Sequence, residues 1–122
     1  GLREGVVDEK ALSLESGRET LRDLSNMVML EVKQAYLDMK YAEESIRGGK
    51  ETVELAEKGL AIAKTRYDTG LSTYLEFTES NLACSTAKLN LNNALRNHMS
   101  AVARIRCACG MEEIIAGEKI NE

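Results

Sequence analysis

The sequence contains no proline and no tryptophan, and it has a single phenylalanine among 122 residues. Aromatic residues make up 4% of the chain, whereas a compact core of this size normally uses several of these side chains, because each buries a large apolar area. Alanine, leucine and valine supply most of the apolar content, and 30% of the residues are charged. This composition is typical of long helices and coiled coils, so we predict an all-α fold.

Several classes of protein are disfavoured because the residues they need are missing. The net charge of −4 and the pI near 5.2 leave no basic stripe to neutralise phosphates, which argues against nucleic-acid binding. No apolar run approaches the ~18 residues of a membrane-spanning helix. The amino end has no charged-then-apolar signal segment, and the chain starts with Gly1 rather than methionine. We therefore expect a segment of a longer protein that does not itself span a membrane.

Residue patterns for catalysis or metal binding are also missing. His98 is the only histidine, and a helical di-metal site would need a Glu-x-x-His pair, whereas position 95 is leucine. No nucleophile–base pair, phosphate loop or Cys/His ligand set is present. We expect no enzyme activity, no catalytic residues, no cofactor and no metal, and we interpret His98 as a hydrogen-bonded imidazole at a helix interface.

The three cysteines are an odd number at no familiar spacing. Cys107 and Cys109 are two residues apart, so on a helix they point to different faces. We predict core or partly buried thiols for these two and Cys84, with a disulfide or a metal pair as the alternative.

Two series of residues recur every seven positions in the first half of the chain, offset by four. The mostly small series is Leu21, Val28, Ala35, Ala42, Gly49, Ala56 and Ala63, and the large series is Val32, Met39, Ile46, Val53, Leu60 and Tyr67. They match the two seam positions of a heptad over about five repeats, so a helix over about 20–69 should pack against a second helix. Gly48 and Gly59 lie outside both columns, and the pattern does not explain them, although each costs a helix about 1 kcal/mol relative to alanine.

The second half of the chain repeats this arrangement. A large series, Phe77, Cys84, Leu91, His98 and Ile105, is accompanied three residues later by a small series, Ser80, Ala87, Ala94, Ala101 and Ala108. The pattern predicts a helix over about 73–109 that ends at Gly110, a natural residue for a helix carboxyl end. Residues 1–19 carry weak helical signal and are predicted to be a lead-in, and residues 111–122 are predicted to be a tail with at most a short turn.

The stretch TRYDTGLSTYLEF, residues 65–77, separates the two helices. Gly70 can adopt the left-handed conformation that closes a helix, and Leu71 follows as the apolar residue of a Schellman ending. Thr73 and Glu76 then form a T-x-x-E capping box. We therefore predict a tight reversal over residues 69–73, called the tip below, that joins two long helices into an antiparallel hairpin, coiled-coil-like and able to associate into a multi-helix bundle.

Two carboxylates follow the tip, Glu76 and Glu79, at positions i and i+3 on one face of the second helix. Carboxylates stabilise helix amino ends, where they meet the positive end of the helix dipole. The alternative interpretation is a functional acidic site, such as a ring of carboxylates or a ligand site at the tip.

Two segments, EVKQAYLDMKYAEESI and AEKGLAIAKTRYDTGLSTYLEFTESNLACSTAKLNLNNALRNHMSAVARI, resemble the second half of a repeat in the TolC-like outer-membrane efflux protein family. The matching positions are Val32, Ala35, Tyr36 and Met39, followed by Arg66, Tyr67, Gly70, Leu71, Glu76, Phe77 and Leu82. The resemblance covers about residues 20–110, and the turn with the pattern R-Y-x-x-G-x-x-x-x-x-[DE] is its most specific part.

This resemblance implies part of a homotrimeric efflux or secretion channel in the outer membrane of a Gram-negative cell. In that family, helical hairpins form a tunnel through the periplasm, and the hairpin tips form its gated entrance. The expected partners are a periplasmic adaptor protein and an inner-membrane pump. The adaptor would dock at Thr69, Gly70, Leu71 and Ser72, and Glu76 and Glu79 would line the pore entrance.

Two further expectations concern the chain by itself. A coiled-coil interaction or signalling hairpin unrelated to export is an alternative that the periodicity alone permits. A single hairpin covers each helix on one side only, so we expect the isolated chain to form a homo-oligomer, for example a four-helix dimer.

Overall fold

The computed structural model describes residues 1–121, with side chains described for residues 1–118. Two helices account for nearly all of this range: α1 is Leu2–Asp68 and α2 is Tyr74–Asn121. They pack against each other as a hairpin, and there is no strand among the described residues. The all-α hairpin predicted from the sequence is therefore confirmed.

The helices are longer than the sequence pattern predicts. α1 begins at Leu2 rather than near residue 20, so the lead-in is helical throughout. Once a helix is nucleated, adding residues costs little, and the first 19 residues contain no proline that would stop it. Gly5 and Gly17 lower the helical propensity of this stretch without ending the helix.

α2 does not end at Gly110 but continues to Asn121. Gly110 keeps a right-handed backbone, since among the described residues a positive φ occurs only at Gly70. The continuation adds another turn to the helix interface, where Ile115 is 3% exposed in one cluster with Val28 and Ala108. The predicted tail is thus helical as far as Asn121, and Glu122 lies outside the described residues.

The chain divides into two compact units, residues 1–36 with 103–122 and residues 37–102. In the first unit, the seam between the helices is formed by Val28, Ala108 and Ile115, with Leu21, Leu24 and Val32 packed beside them. A polar contact lies in the same seam: the hydroxyl of Ser25, 8% exposed, donates one proton shared between the two carboxylate oxygens of Glu112, at 3.3 and 3.4 Å.

In the second unit, residues 37–102, the buried side chains belong to the predicted heptad columns. They are small: Ala42, Cys84, Ala87, Ala94 and Ala101. The heptad column that contains Gly49 has little room for larger side chains. A Cβ built on Gly49 would lie 3.3 Å from Cδ1 and 3.6 Å from Cα of Leu91. The helix backbones approach closely at this point, as the glycine in the small column indicates.

The cysteines divide between seam and surface. Cys84 is buried, as predicted, whereas Cys107 and Cys109 are exposed, and all three are free thiols. Ala108 takes the seam position between the two exposed cysteines, and neighbouring residues on a helix point about 100° away on either side. The prediction of core or partly buried thiols is therefore wrong for these two.

Candidate functional site at the hairpin tip

The tip forms by the backbone chemistry that its sequence indicates. Gly70 has φ of 77°, the left-handed region that favours glycine. Its amide donates to the carbonyl of Tyr67 at 3.0 Å, and the amide of Leu71 donates to the carbonyl of Arg66 at 2.7 Å. These two bonds are the pair that defines a Schellman ending, so the last carbonyls of α1 are satisfied and the turn has one defined conformation.

The start of α2 is capped by one half of the predicted capping box. The amide of Glu76 donates to Oγ1 of Thr73 at 3.2 Å, the bond expected of an N-cap threonine. Within the described part of the chain, the Thr73 amide does not donate the reciprocal bond to the Glu76 carboxylate. The carboxylate of Glu76 is therefore free to act elsewhere.

The four predicted docking residues differ in how much they present to solvent. Thr69 and Gly70 are exposed, and Leu71 is 71% exposed even though it is a large apolar side chain. Ser72 is half-buried, and its Oγ is a buried polar atom with no hydrogen-bond partner. The tip thus presents the exposed side chain of Leu71 next to the Ser72 hydroxyl, which forms no hydrogen bond.

Glu76 and Glu79, the two predicted pore-entrance residues, are both exposed on the first two turns of α2. They have different surroundings, because Glu76 lines a groove beside the tip whereas Glu79 does not. The sequence predicts them as a pair on one face, and of the two it is Glu76 that lines this groove.

Three aromatic rings close the seam next to the tip. The ring of Tyr67 lies 5.7 Å from the rings of Tyr74 and Phe77, measured between centroids, and Tyr67 and Phe77 are stacked at an interplanar angle of 19°. Aromatic pairs at such distances stabilise a structure by about 0.5–1.5 kcal/mol beyond their area burial. The cluster ties the last turn of α1 to the first turn of α2 and so fixes the tip on the hairpin.

The groove beside the tip was not predicted from the sequence. It has a volume of about 220 Å³ and is lined by residues of both helices, here called the groove residues: Gly59, Ile62, Ala63, Arg66, Ser72, Glu76 and Ser80. Small side chains leave the space open, since Ala63 and Ser80 come from the small heptad columns. The unexplained Gly59 was the available signal, because a glycine that costs helix stability often marks a place where something approaches the backbone closely.

His98 is in the seam, as predicted, and its side chain is 32% exposed. Its Nε2 lies 3.6 Å from Oε1 of Glu43 on the other helix. In the described part of the chain, no group of three or more His, Cys, Asp or Glu residues could hold a metal ion. The contact with Glu43 places His98 at the helix interface, although 3.6 Å is longer than the hydrogen bond predicted for its ring.

Comparison with known protein families decides what this hairpin belongs to. A family model described as outer membrane efflux protein matches residues 9–111, well over half of the chain. The chain belongs to the outer membrane efflux protein family. Within this family of outer-membrane channels, the matched range includes the tip, the aromatic cluster and the groove. No curated protein and no solved structure matches the chain.

Membership in the outer membrane efflux protein family agrees with the resemblance inferred from the residues around Tyr67 and Gly70. Over the residues that the structure describes, neither helix has a stretch apolar enough to cross a membrane. The family is one of channels and transporters.

Proposed function

We propose that this chain forms part of the periplasmic helical tunnel of an outer-membrane efflux or secretion channel, with its tip as the docking point for a periplasmic adaptor protein. The parent channel is a homotrimer that works with that adaptor and an inner-membrane pump, and the chain contributes no catalytic step and needs no cofactor. The observation that supports this most directly is an exposed reversal, closed by the Schellman bonds at the end of α1, inside the range matched by the family model.

The chemistry of the tip suits docking of another protein. The backbone around Gly70 is accessible because no Cβ lies there, and Leu71 offers apolar area that a partner would cover. Burying a leucine side chain contributes about 1.5–3 kcal/mol. Because the Schellman bonds already fix the backbone, little conformational entropy is lost on binding.

Glu76 and Glu79 are proposed to line the entrance of the pore. In a threefold assembly each carboxylate occurs three times around one axis, so the negative charges repel one another and attract cations. Such a ring would restrict passage or bind ions at the entrance. A carboxylate in the first turn of α2, as at Glu76, also stabilises the helix amino end, so an experiment is needed to separate the two roles.

Docking is tested by titrating the chain with the purified periplasmic adaptor of the same organism and comparing Leu71→Ser with Leu12→Ser. The two leucines are matched, at 71% and 68% exposed, but Leu12 is remote from the tip in sequence and belongs to the other unit. We expect Leu71→Ser to weaken adaptor binding by about tenfold or more, since ~1.4 kcal/mol is a factor of ten. Equal affinities for the two variants would refute docking at the tip.

The entrance is tested in the full-length parent channel by replacing both Glu76 and Glu79 with glutamine and recording conductance in planar bilayers. We expect altered conductance and weaker block by divalent cations, with Glu113→Gln, an exposed glutamate of the other unit, as the control. If the double variant has the same conductance and the same cation block as the unmodified channel, Glu76 and Glu79 have only the helix-capping role.

A further inference from the structure

One exposed face of α2 begins with two carboxylates and continues with uncharged side chains. From Glu76 and Glu79 onward, exposed residues recur at alternating intervals of three and four positions, which is the spacing of a single helix face. All of them belong to the unit of residues 37–102. We call this face the polar stripe: Glu76, Glu79, Ala83, Thr86, Asn90, Asn93, Asn97 and Ser100. It extends over about 36 Å, at about 1.5 Å per residue.

Beyond Glu79 the polar stripe carries no charge. Charged residues make up 30% of the whole chain, yet the sequence has no carboxylate between Glu79 and Glu112. The side chains that follow the two glutamates on the stripe are mainly carboxamides and hydroxyls, which donate and accept hydrogen bonds without carrying charge. The stripe therefore combines a charged beginning near the tip with a neutral, hydrophilic continuation.

The three asparagines of the polar stripe are not explained by the hairpin itself. Asparagine is among the poorer helix formers, because its side chain competes for backbone hydrogen bonds. Asn90, Asn93 and Asn97 are exposed in the interior of α2, and within the described part of the chain their carboxamides form no hydrogen bond. No contact within this chain offsets their cost to helix stability.

The neighbouring face of α2 has a different chemistry. Leu75, Leu82 and Leu89 form an apolar column there and are 66%, 68% and 63% exposed. Covering such a column with another surface is favourable, whereas covering carboxamides without new hydrogen bonds costs free energy. In an assembly of several hairpins we therefore expect the leucines to be buried and the polar stripe to stay in contact with water.

We propose that the polar stripe lines the water-filled passage of the channel and lets hydrophilic solutes of either charge pass beyond the entrance. The inference rests on the proposed function, because it assumes the tunnel and places Glu76 and Glu79 at its mouth. These two carboxylates share a helix face with the asparagines, so a passage that meets the former also meets the latter. In a threefold assembly each residue of the stripe occurs three times around the lumen.

A neutral lining acts on a solute differently from a ring of carboxylates. Carboxamides exchange hydrogen bonds with a hydrated solute much as water does, so no single position holds a charged solute strongly. Glu76 and Glu79 are then the groups of the stripe that discriminate by charge. The class of solute that fits this passage is polar, and the sign of its charge matters at the entrance.

The test adds one charge to the polar stripe in the full-length parent channel and measures ion selectivity in planar bilayers. Asn93→Asp and Asn93→Lys place opposite charges on the stripe. Asn92→Asp is the matched control, because it makes the same isosteric change about 100° around the helix. Both asparagines are exposed, so the substitutions leave the seam intact, which circular dichroism verifies. The reversal potential is measured across a salt gradient near about 0.1 M, where a fixed charge acts over about 10 Å.

The outcomes separate the lining from the channel function. Asn93→Asp should raise the permeability ratio of potassium to chloride by about twofold or more, and Asn93→Lys should lower it by a similar factor. Asn92→Asp should leave the ratio unchanged. If neither Asn93 variant changes the ratio, or if Asn92→Asp shifts it as much as Asn93→Asp, the lining inference is overturned while the proposed channel stands. An unmodified parent protein that conducts no ions would overturn the proposed function itself.

Discussion

Replacing Gly70 with alanine should destabilise the hairpin, although alanine is the better helix former. At φ of 77° a Cβ crowds the following carbonyl oxygen, which costs roughly 1–2 kcal/mol. Alanine also restricts the unfolded chain, which offsets about 0.4–1 kcal/mol of that cost. No atom lies within 4 Å of a Cβ at this position, so the loss is one of backbone strain and not of steric overlap with neighbours. We expect a net loss of about 1 kcal/mol in the free energy of unfolding.

The measurement is urea unfolding followed by circular dichroism at 222 nm, at one fixed protein concentration because association would shift the midpoint. Gly48→Ala is the matched control, since it makes the same chemical change at an open, right-handed helical position. It should raise stability by about 1 kcal/mol, so the two alanine variants should differ by about 2 kcal/mol in opposite directions.

A third variant tests whether the left-handed backbone is the cause. Asparagine visits this conformation more readily than alanine, so Gly70→Asn should fall between the unmodified chain and Gly70→Ala. If Gly70→Ala is as stable as Gly48→Ala, the positive φ at the tip does not contribute to stability, and the explanation given for the reversal fails.

Three further perturbations address the seam, the cap and the outer faces. Gly49→Leu should lower stability by about 1–3 kcal/mol in urea unfolding, because its side chain must displace Leu91, and an unchanged midpoint would contradict the close approach. Thr73→Ala should cost about 1 kcal/mol by loss of the N-cap bond, whereas a loss below the error of the measurement would show that the cap is dispensable. The isolated chain should self-associate through its exposed apolar faces, and Leu82→Lys should weaken that association in analytical ultracentrifugation. A stable monomer at high micromolar concentration would refute the last expectation.

Much of this fold follows from local patterns in the sequence. The seven-residue columns identify the buried faces, and residues such as Ala42 and Ala101 are buried where the columns place them. The turn is equally local, because Gly70 and Thr73 form their bonds with residues at most a few positions away. Helix ends away from the tip were less predictable. Gly110 can close a helix or sit inside one, and packing of Ile115 in the cluster with Val28 favours continuation.

The groove required the tertiary structure because its residues come from two helices and no sequence pattern links them. Gly59 and Ser80 lie on different helices, and the heptad columns do not indicate that an open groove remains between them. The lack of a partner for Ser72 is likewise a property of what surrounds its hydroxyl, not of the residue type.

The sequence by itself thus determined the two helices, their buried faces and the reversal between them, because helix periodicity and capping act over a few residues. Only the packing of one helix on the other decided where open space and unpaired polar atoms remain, because both depend on contacts between residues distant in the chain.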